Sequence, residues 1–144
     1  MKIAMTGNPE YGLAKSYKQL EPDTTFFSRD NDWDLAIQHK REELAELLDG
    51  RNFDVFINSS ALHNFNQCLM LGAMWDRWKL KAKPTHIICI GSTIDRTIKG
   101  SDWIYGTEKH ALKHMCNGLS LLGVWSEIQC KVTYISFGSL NTPK

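Results

Sequence analysis

The chain has 144 residues, 42% of them hydrophobic and 23% charged, with a formal net charge of +1. That length suits one domain with its own core, and the near-neutral balance gives no electrostatic case for nucleic acid or an anionic membrane as partner. No apolar run approaches the roughly 20 residues that span a bilayer, and the apolar part of residues 1–7 is too short for a signal peptide.

In chain order, residues 2–6 read as a strand that runs into a turn from Gly7 to Gly12. Residues 13–20 form a short helix, which Glu21-Pro22-Asp23 ends. Residues 24–27 are a second strand, followed by a polar stretch over 28–32. Residues 34–48 are helical, with Leu35, Ile37, Leu44, Leu47 and Leu48 apolar and charges on the other face. Residues 54–58 form a third strand, rich in β-branched and aromatic side chains. A long helix covers 64–81, and Pro84 marks its far boundary. Residues 85–90 are a continuous apolar strand, the kind buried on both faces of a parallel sheet. A helix over 105–122 and a strand over Cys130–Phe137 complete the pattern. Strand–helix alternation of this kind predicts an α/β protein. It would be a Rossmann-like, doubly wound parallel sheet with helices on both faces, folded as one compact domain over 1–144.

Four cysteines, Cys68, Cys89, Cys116 and Cys130, form no C-x-x-C pair. They read as reduced thiols of a cytoplasmic protein, and no metal site is expected. His110 and His114 share a helix face but lack an acid or cysteine at matching spacing, so they read as polar surface residues.

Glycines in the first turn let a backbone approach a phosphate, and the helix that follows offers free N–H groups and a positive dipole end. Gly7, Asn8, Tyr11, Gly12 and Leu13 are the cofactor-binding candidates there, although the same residues also suit an ordinary strand–turn–helix corner. Tyr105 and Lys109 lie at i and i+4 on one helix face. An ammonium beside a phenol favours the phenolate and makes it a usable acid/base near neutral pH. Taken alone, that pair is better explained by an amphipathic helix. Ser92 follows the strand 85–90, Asn58-Ser59 end the strand before it, and Phe137-Gly138 follow the last. Small and polar residues thus gather at the carboxyl rim of one sheet, where open α/β sheets bind ligands.

In this order the residues resemble the short-chain dehydrogenase/reductase superfamily, over residues 1–142. Thr6-Gly7, Gly12, Leu13 and Ala14 are similar to the family's T-G-x-x-x-G-x-G turn, with one residue more and Ala for the third Gly. Asp34-Leu35 resembles the pair that meets the adenine ring. Asn58-Ser59-Ser60-Ala61 stands where the family has N-N-A-G. Ser92, Tyr105 and Lys109 match its Ser…Tyr-x-x-x-Lys set, and residues 138–142 resemble its P-G-x-x-x-T segment, with Phe137 replacing Pro.

The resemblance implies an NAD(P)-dependent oxidoreductase acting on a carbonyl or alcohol. Tyr105 would exchange the proton with the substrate oxygen, Lys109 would hold the nicotinamide ribose, and Ser92 would hydrogen-bond the substrate oxygen. Asn66 would join a proton relay, with Asn64 as its competitor and helix capping as the alternative for either. Ser60 and Gly138 would complete the cofactor contacts. Ser28 stands where an acid would take the ribose diol, and Arg29 follows it, so NADP is the expected cofactor; Asp30 keeps NAD open.

Two departures bear on function. No helix separates the second strand from Asp34. The chain also stops at Lys144, where the family's substrate-binding lobe follows, so a minimal, C-terminally truncated member with an open site is expected. A non-catalytic dinucleotide-binding sensor or scaffold is the alternative. Met70, Leu71, Met74, Trp75, Trp78, Leu112, Met115, Leu119 and Leu122 suggest a homodimer or homotetramer through the helices 64–81 and 105–122. The alternative is that they all pack inside one subunit.

Overall fold

Runs of β-branched, aromatic and small apolar residues form five parallel strands: β1 (Ile3–Thr6), β2 (Thr25–Phe27), β3 (Val55–Asn58), β4 (Thr85–Ser92) and β5 (Cys130–Phe137). Between them lie α1 (Gly12–Leu20), α2 (Gln38–Gly50), α3 (Asn66–Trp78) and α4 (Trp103–Trp125), with a 3-10 turn over Arg29–Asn31. The structure is a computed structural model and describes residues 1–60, 64–92 and 103–137. No described helix is long and apolar enough to cross a membrane.

The sheet order is β2-β1-β3-β4-β5. The chain winds outward from β1 in one direction to β2 and then in the other through β3, β4 and β5. The order therefore reverses beside β1, and a crevice opens there at the carboxyl ends of β1 and β3. Removing the third strand from the six-stranded Rossmann order 3-2-1-4-5-6 yields this same order. The direct passage from β2 to Asp34 is the place where that strand and its helix would lie.

Side chains alternate across each strand, so the two faces of the sheet carry different cores. Ala4, Phe27, Phe56, Ile87, Cys89, Cys130 and Val132 point to the face covered by α2, α3 and α4 and form the larger core. Met5 and Ile57 point to the other face, where Ala14, Leu13 and Tyr17 of α1 meet them. Helices do cover both faces, but unequally among the described residues. On β4, Thr85, Ile87 and Cys89 are buried, whereas His86, Ile88 and Ile90 are half-buried. The strand 85–90 is thus fully enclosed on one face only, because α1 is too short to reach across the sheet to β4 and β5.

The remaining differences from the expected elements have local causes. The helix expected at 34 begins at Gln38, because the Asp34 carboxylate accepts from the Ala36 N–H at 3.1 Å and the Asp34 carbonyl accepts from Ile37 N–H at 3.1 Å. That side-chain turn competes with the first helical turn. Asn64 and Phe65 have φ of 57° and 61°, so α3 starts at Asn66 rather than at 64.

Met70, Leu71, Met74, Trp75, Trp78 and Leu112 are buried in this one chain's core, and Met115 and Leu119 pack against it. Of the nine residues that suggested an oligomer face, Leu122 is the exposed one. Most of that apolar surface is spent inside the subunit, because α2 packs beside α3 and the sheet lies beneath both.

Candidate active site

The crevice begins at Thr6. Its hydroxyl accepts from the N–H groups of Ser59 at 2.9 Å and Ser60 at 3.1 Å, and it donates to the Ile57 carbonyl at 3.4 Å. The Ser59 hydroxyl donates back to the Thr6 carbonyl. The ends of β1 and β3 are thereby fastened together. Gly7 follows with φ of +132°, a conformation that side-chain-bearing residues rarely adopt, and a Cβ there would lie 3.3 Å from the Ala14 methyl. Its N–H donates to the Phe27 carbonyl at 2.9 Å, which joins the turn to the end of β2.

Asn8 shapes the next corner. Its side-chain oxygen accepts from the Glu10 N–H at 2.9 Å, and its amide donates to the Asp30 carboxylate at 2.5 Å. Asp30 is therefore engaged across the crevice mouth, whereas exposed Arg29 beside it pairs with no carboxylate among the described residues. Trp33 stands edge-on to Phe27 with ring centres 5.4 Å apart, and the Lys40 ammonium lies 5.2 Å from the Trp33 ring. Asn8, Phe27, Arg29, Asp30 and Trp33 help wall a cleft of about 580 Å³.

A second set of polar groups sits at the ends of β3 and β4. Lys109 projects from α4 into the interior, where it is 5% exposed. Its ammonium donates to the Gln67 side-chain oxygen at 2.5 Å and to the Ile90 carbonyl at 3.4 Å, and it lies 5.6 Å from the centre of the Tyr105 ring. The Gln67 amide donates to the carbonyls of Asn58 at 2.9 Å and Ile90 at 3.1 Å. Asn58 donates to the Gln67 carbonyl at 3.0 Å and to the Cys89 thiol at 3.6 Å. Each strand end is thus tied to the lysine through one glutamine. Burial pulls the Lys109 ammonium below its ordinary value, a shift opposed by nearby Cys89, Cys68 and Glu108. The thiols beneath are poor nucleophiles: burial pushes Cys68 up to about 11, and Cys116 and burial hold Cys89 well above the usual thiol range.

Solved structures supply the comparison. The chain superposes on RhlG of Pseudomonas aeruginosa in its NADP active-site complex with a TM-score of 0.70, 16% identity, and coverage of 98% of this chain and 73% of that one. For a short-chain dehydrogenase/reductase of Burkholderia phymatum bound to NAD the values are 0.76, 12%, 98% and 66%. For 3-ketoacyl-(acyl-carrier-protein) reductase of Brucella melitensis with NADH they are 0.76, 13%, 99% and 77%. The chain has the short-chain dehydrogenase/reductase fold. It spans between 66% and 77% of the length of these three structures. No family model matches the sequence, and no curated protein sequence does.

Within the short-chain dehydrogenase/reductase fold, Gly7, Asn8, Ser28, Arg29, Asp34, Leu35 and Ser60 line the cleft, as does Asn66. Tyr11, Gly12 and Leu13 stand outside its wall, at the start of α1, and Asn58 and Ser59 act behind it as braces. Asn66 does not face Lys109: its side-chain oxygen accepts from buried Arg41 at 2.8 Å, and Arg41 also donates to the Leu35 carbonyl at 3.0 Å. The ammonium instead meets the next residue, Gln67. One step along a helix turns a side chain by about 100°, so the two neighbours meet different partners. β4 extends through Ser92, paired with Phe137. The Ser92 side chain and Gly138 lie outside the described residues.

Sequence reasoning passed over Gln67, Trp33 and the Thr6 hydroxyl. The signal for Thr6 was its place at the end of β1, directly before the first glycine. Gln67 offered none, since its partners come from three other elements.

The cleft suits an extended dinucleotide. Gly7 leaves it without a side chain where the backbone turns, Trp33 and Leu35 offer apolar surface, and Arg29 offers a cation with no carboxylate partner among the described residues. It ends at Asn66 and Ser60, close in sequence to the groups that hold Lys109.

Proposed function

We propose that the chain binds NADP(H) in the cleft and acts as an oxidoreductase on a carbonyl or alcohol, with Tyr105 as acid/base. The observation that supports this most is the buried Lys109 ammonium, fixed by Gln67 and the Ile90 carbonyl within 5.6 Å of the Tyr105 ring centre at the sheet's carboxyl edge. The three solved structures above, described as bound to NADP, NAD or NADH, support the same reading.

The cofactor, when bound, supplies the hydride. Gly7 would let the phosphates approach the backbone, the N–H groups of the first turn of α1 would hold them, Trp33 and Leu35 would take the adenine, and Arg29 would take the 2′-phosphate as a bidentate partner. Lys109 would serve two ends. Its ammonium would hydrogen-bond the ribose and would favour the phenolate of Tyr105. Tyr105 would give a proton to the substrate oxygen on reduction and take it back on oxidation. Ser92 would steady that oxygen by a hydrogen bond.

The test is a fluorescence titration with NADPH and NADH, followed by turnover of a carbonyl panel by the parent and by Tyr105→Phe. NADPH should bind more tightly than NADH, and Arg29→Ala should remove about tenfold of that preference, one bond to phosphate worth roughly 1.4 kcal/mol. Tyr105→Phe should keep NADPH binding and lose at least about a hundredfold in kcat. Absence of binding by either nucleotide would overturn the whole reading. Binding without turnover by the parent would leave a dinucleotide-binding protein that is not an enzyme.

A further inference from the structure

A second cleft lies on another side of α4. Its volume is about 320 Å³, and Asn64, Phe65, Trp103, Ile104, Thr107 and Glu108 line it. None of these side chains hydrogen-bonds the Lys109 ammonium, although Glu108 lies near enough to act on its charge. On a helix of 3.6 residues per turn, Ile104 and Thr107 project away from the direction shared by Tyr105 and Lys109, and Glu108 lies between the two sets.

The wall has two unlike parts. Phe65, Trp103 and Ile104 are large apolar side chains that all remain substantially exposed, Trp103 at 54%. Glu108 by contrast is 7% exposed, and its Oε1 has no hydrogen-bond partner among the described residues. The Lys109 ammonium next to it in sequence is directed to Gln67 and Ile90 instead. Thr107 gives its hydroxyl to the Trp103 carbonyl at 2.7 Å, so it offers Glu108 no donor. A buried carboxylate oxygen without a donor costs free energy unless something supplies one. The backbone at the opposite lip is held in an uncommon conformation, with positive φ at both Asn64 and Phe65. Such strain collects at ligand-binding positions.

We propose that this cleft is a binding site for a small organic ammonium ion with an apolar body. The carboxylate would take the N–H donors, and the Phe65 and Trp103 rings would take the apolar body and attract the charge through their faces. An anion is disfavoured by Glu108, and a purely apolar ligand would leave Glu108 without a donor. Asn64 lines both clefts, but the groups that would hold the ammonium, Glu108, Phe65 and Trp103, line this one and not the first, and the test is of binding alone.

The experiment is a titration of the full chain with 2-phenylethylammonium. It is followed by calorimetry and by the indole N–H signal of Trp103, assigned with Trp103→Phe. The neutral isostere 2-phenylethanol is the comparator. The ammonium should bind about tenfold more tightly than the alcohol and should shift the Trp103 signal. Glu108→Gln should bring the two ligands level, and exposed Trp103→Ala should weaken the ammonium while leaving the thermal unfolding midpoint near the parent's. Glu108→Gln is scored only if its circular dichroism matches the parent. If it does not, Trp103→Ala and the ammonium–alcohol comparison decide. Equal affinity for ammonium and alcohol in the parent, no binding of either, or an unmoved Trp103 signal would each overturn the proposal. A lysine-containing tripeptide that binds better than the free amine would overturn it too, since the occupant would then be a protein side chain.

Discussion

Lys109 carries a positive charge in a place with few ways to solvate it. Among the described residues two oxygens face its ammonium, and both are held from behind: the Gln67 oxygen by that residue's own two amide bonds, and the Ile90 carbonyl by the strand. The cost of burial shows in the direction of its proton equilibrium, which lies below the ordinary lysine value of 10.5. The folded chain therefore gives up this proton at lower pH than the unfolded chain does. Between the depressed value and 10.5 the unfolded state binds more protons, so this group's contribution to stability rises with pH across that window. The unfolding free energy of the parent relative to Lys109→Met should accordingly shift in the parent's favour as pH climbs toward 10.5. Urea unfolding of both proteins at a series of alkaline pH values reads it, and a difference that stays flat would contradict the burial argument. The i, i+4 spacing of Tyr105 and Lys109 was legible because it is a property of one helix. The clamp was not, since Gln67 reaches Lys109 across forty-two positions of chain. Nothing in a single sequence distinguishes Asn66 from Gln67 as the neighbour of a lysine on another helix. Only the rotational setting of α3 decides, and the two positive φ values before it fix that setting.

β4 and β5 pair over their full length, from Thr85 opposite Cys130 to Ser92 opposite Phe137. Near the carboxyl end, the ring of Tyr134 lies across Gly91: a Cβ on that glycine would fall 1.8 Å from the Tyr134 hydroxyl and 2.2 Å from Cζ. The glycine is needed for space rather than for backbone freedom. Gly91→Ala should destabilise by about 1–3 kcal/mol, as overpacking does when a ring has to move, and Gly91→Ala with Tyr134→Ala should cost less than the sum of the two single changes. Chemical denaturation of the three variants measures this, and strict additivity would argue against the contact. The strands were the most readable elements, because short β-branched runs bounded by turns admit few alternatives. Helix starts were less so. Asp34 reads equally well as a helical residue and as a side-chain turn, and the turn prevails by bonding Ala36 and Ile37.

At the scale of the molecule, the two faces of the sheet carry unequal burdens. Three helices and most of the large side chains, among them Trp75, Trp78 and Met74, lie on one face. On the other, α1 covers a small cluster around Met5 and Ile57, and Ile135 is exposed. Opening should follow that division. Amide hydrogen exchange is expected to be slowest in β1, β3 and β4 and in the buried turns of α3, and fastest in α1, which has few buried contacts to lose. Exchange in α1 as slow as in α3 would refute this. Alternation of strands and helices was enough to read a doubly wound parallel sheet. It was not enough to apportion the core between the faces, and for that reason Met70, Leu71 and Met74 looked like surface available to another subunit. Whether residues such as these face water depends on how close α2 stands to α3, which the pattern of one helix does not contain.

The Thr6 hydroxyl works as a gauge block. Three bonds to the far strand end meet on one short side chain, so the jaws of the crevice are set apart by a fixed length rather than by a compliant loop. Gly7 and Ser60, which follow these two strand ends, both line the cleft, so the spacing of two of its lining residues is set by the fold and not by an occupant.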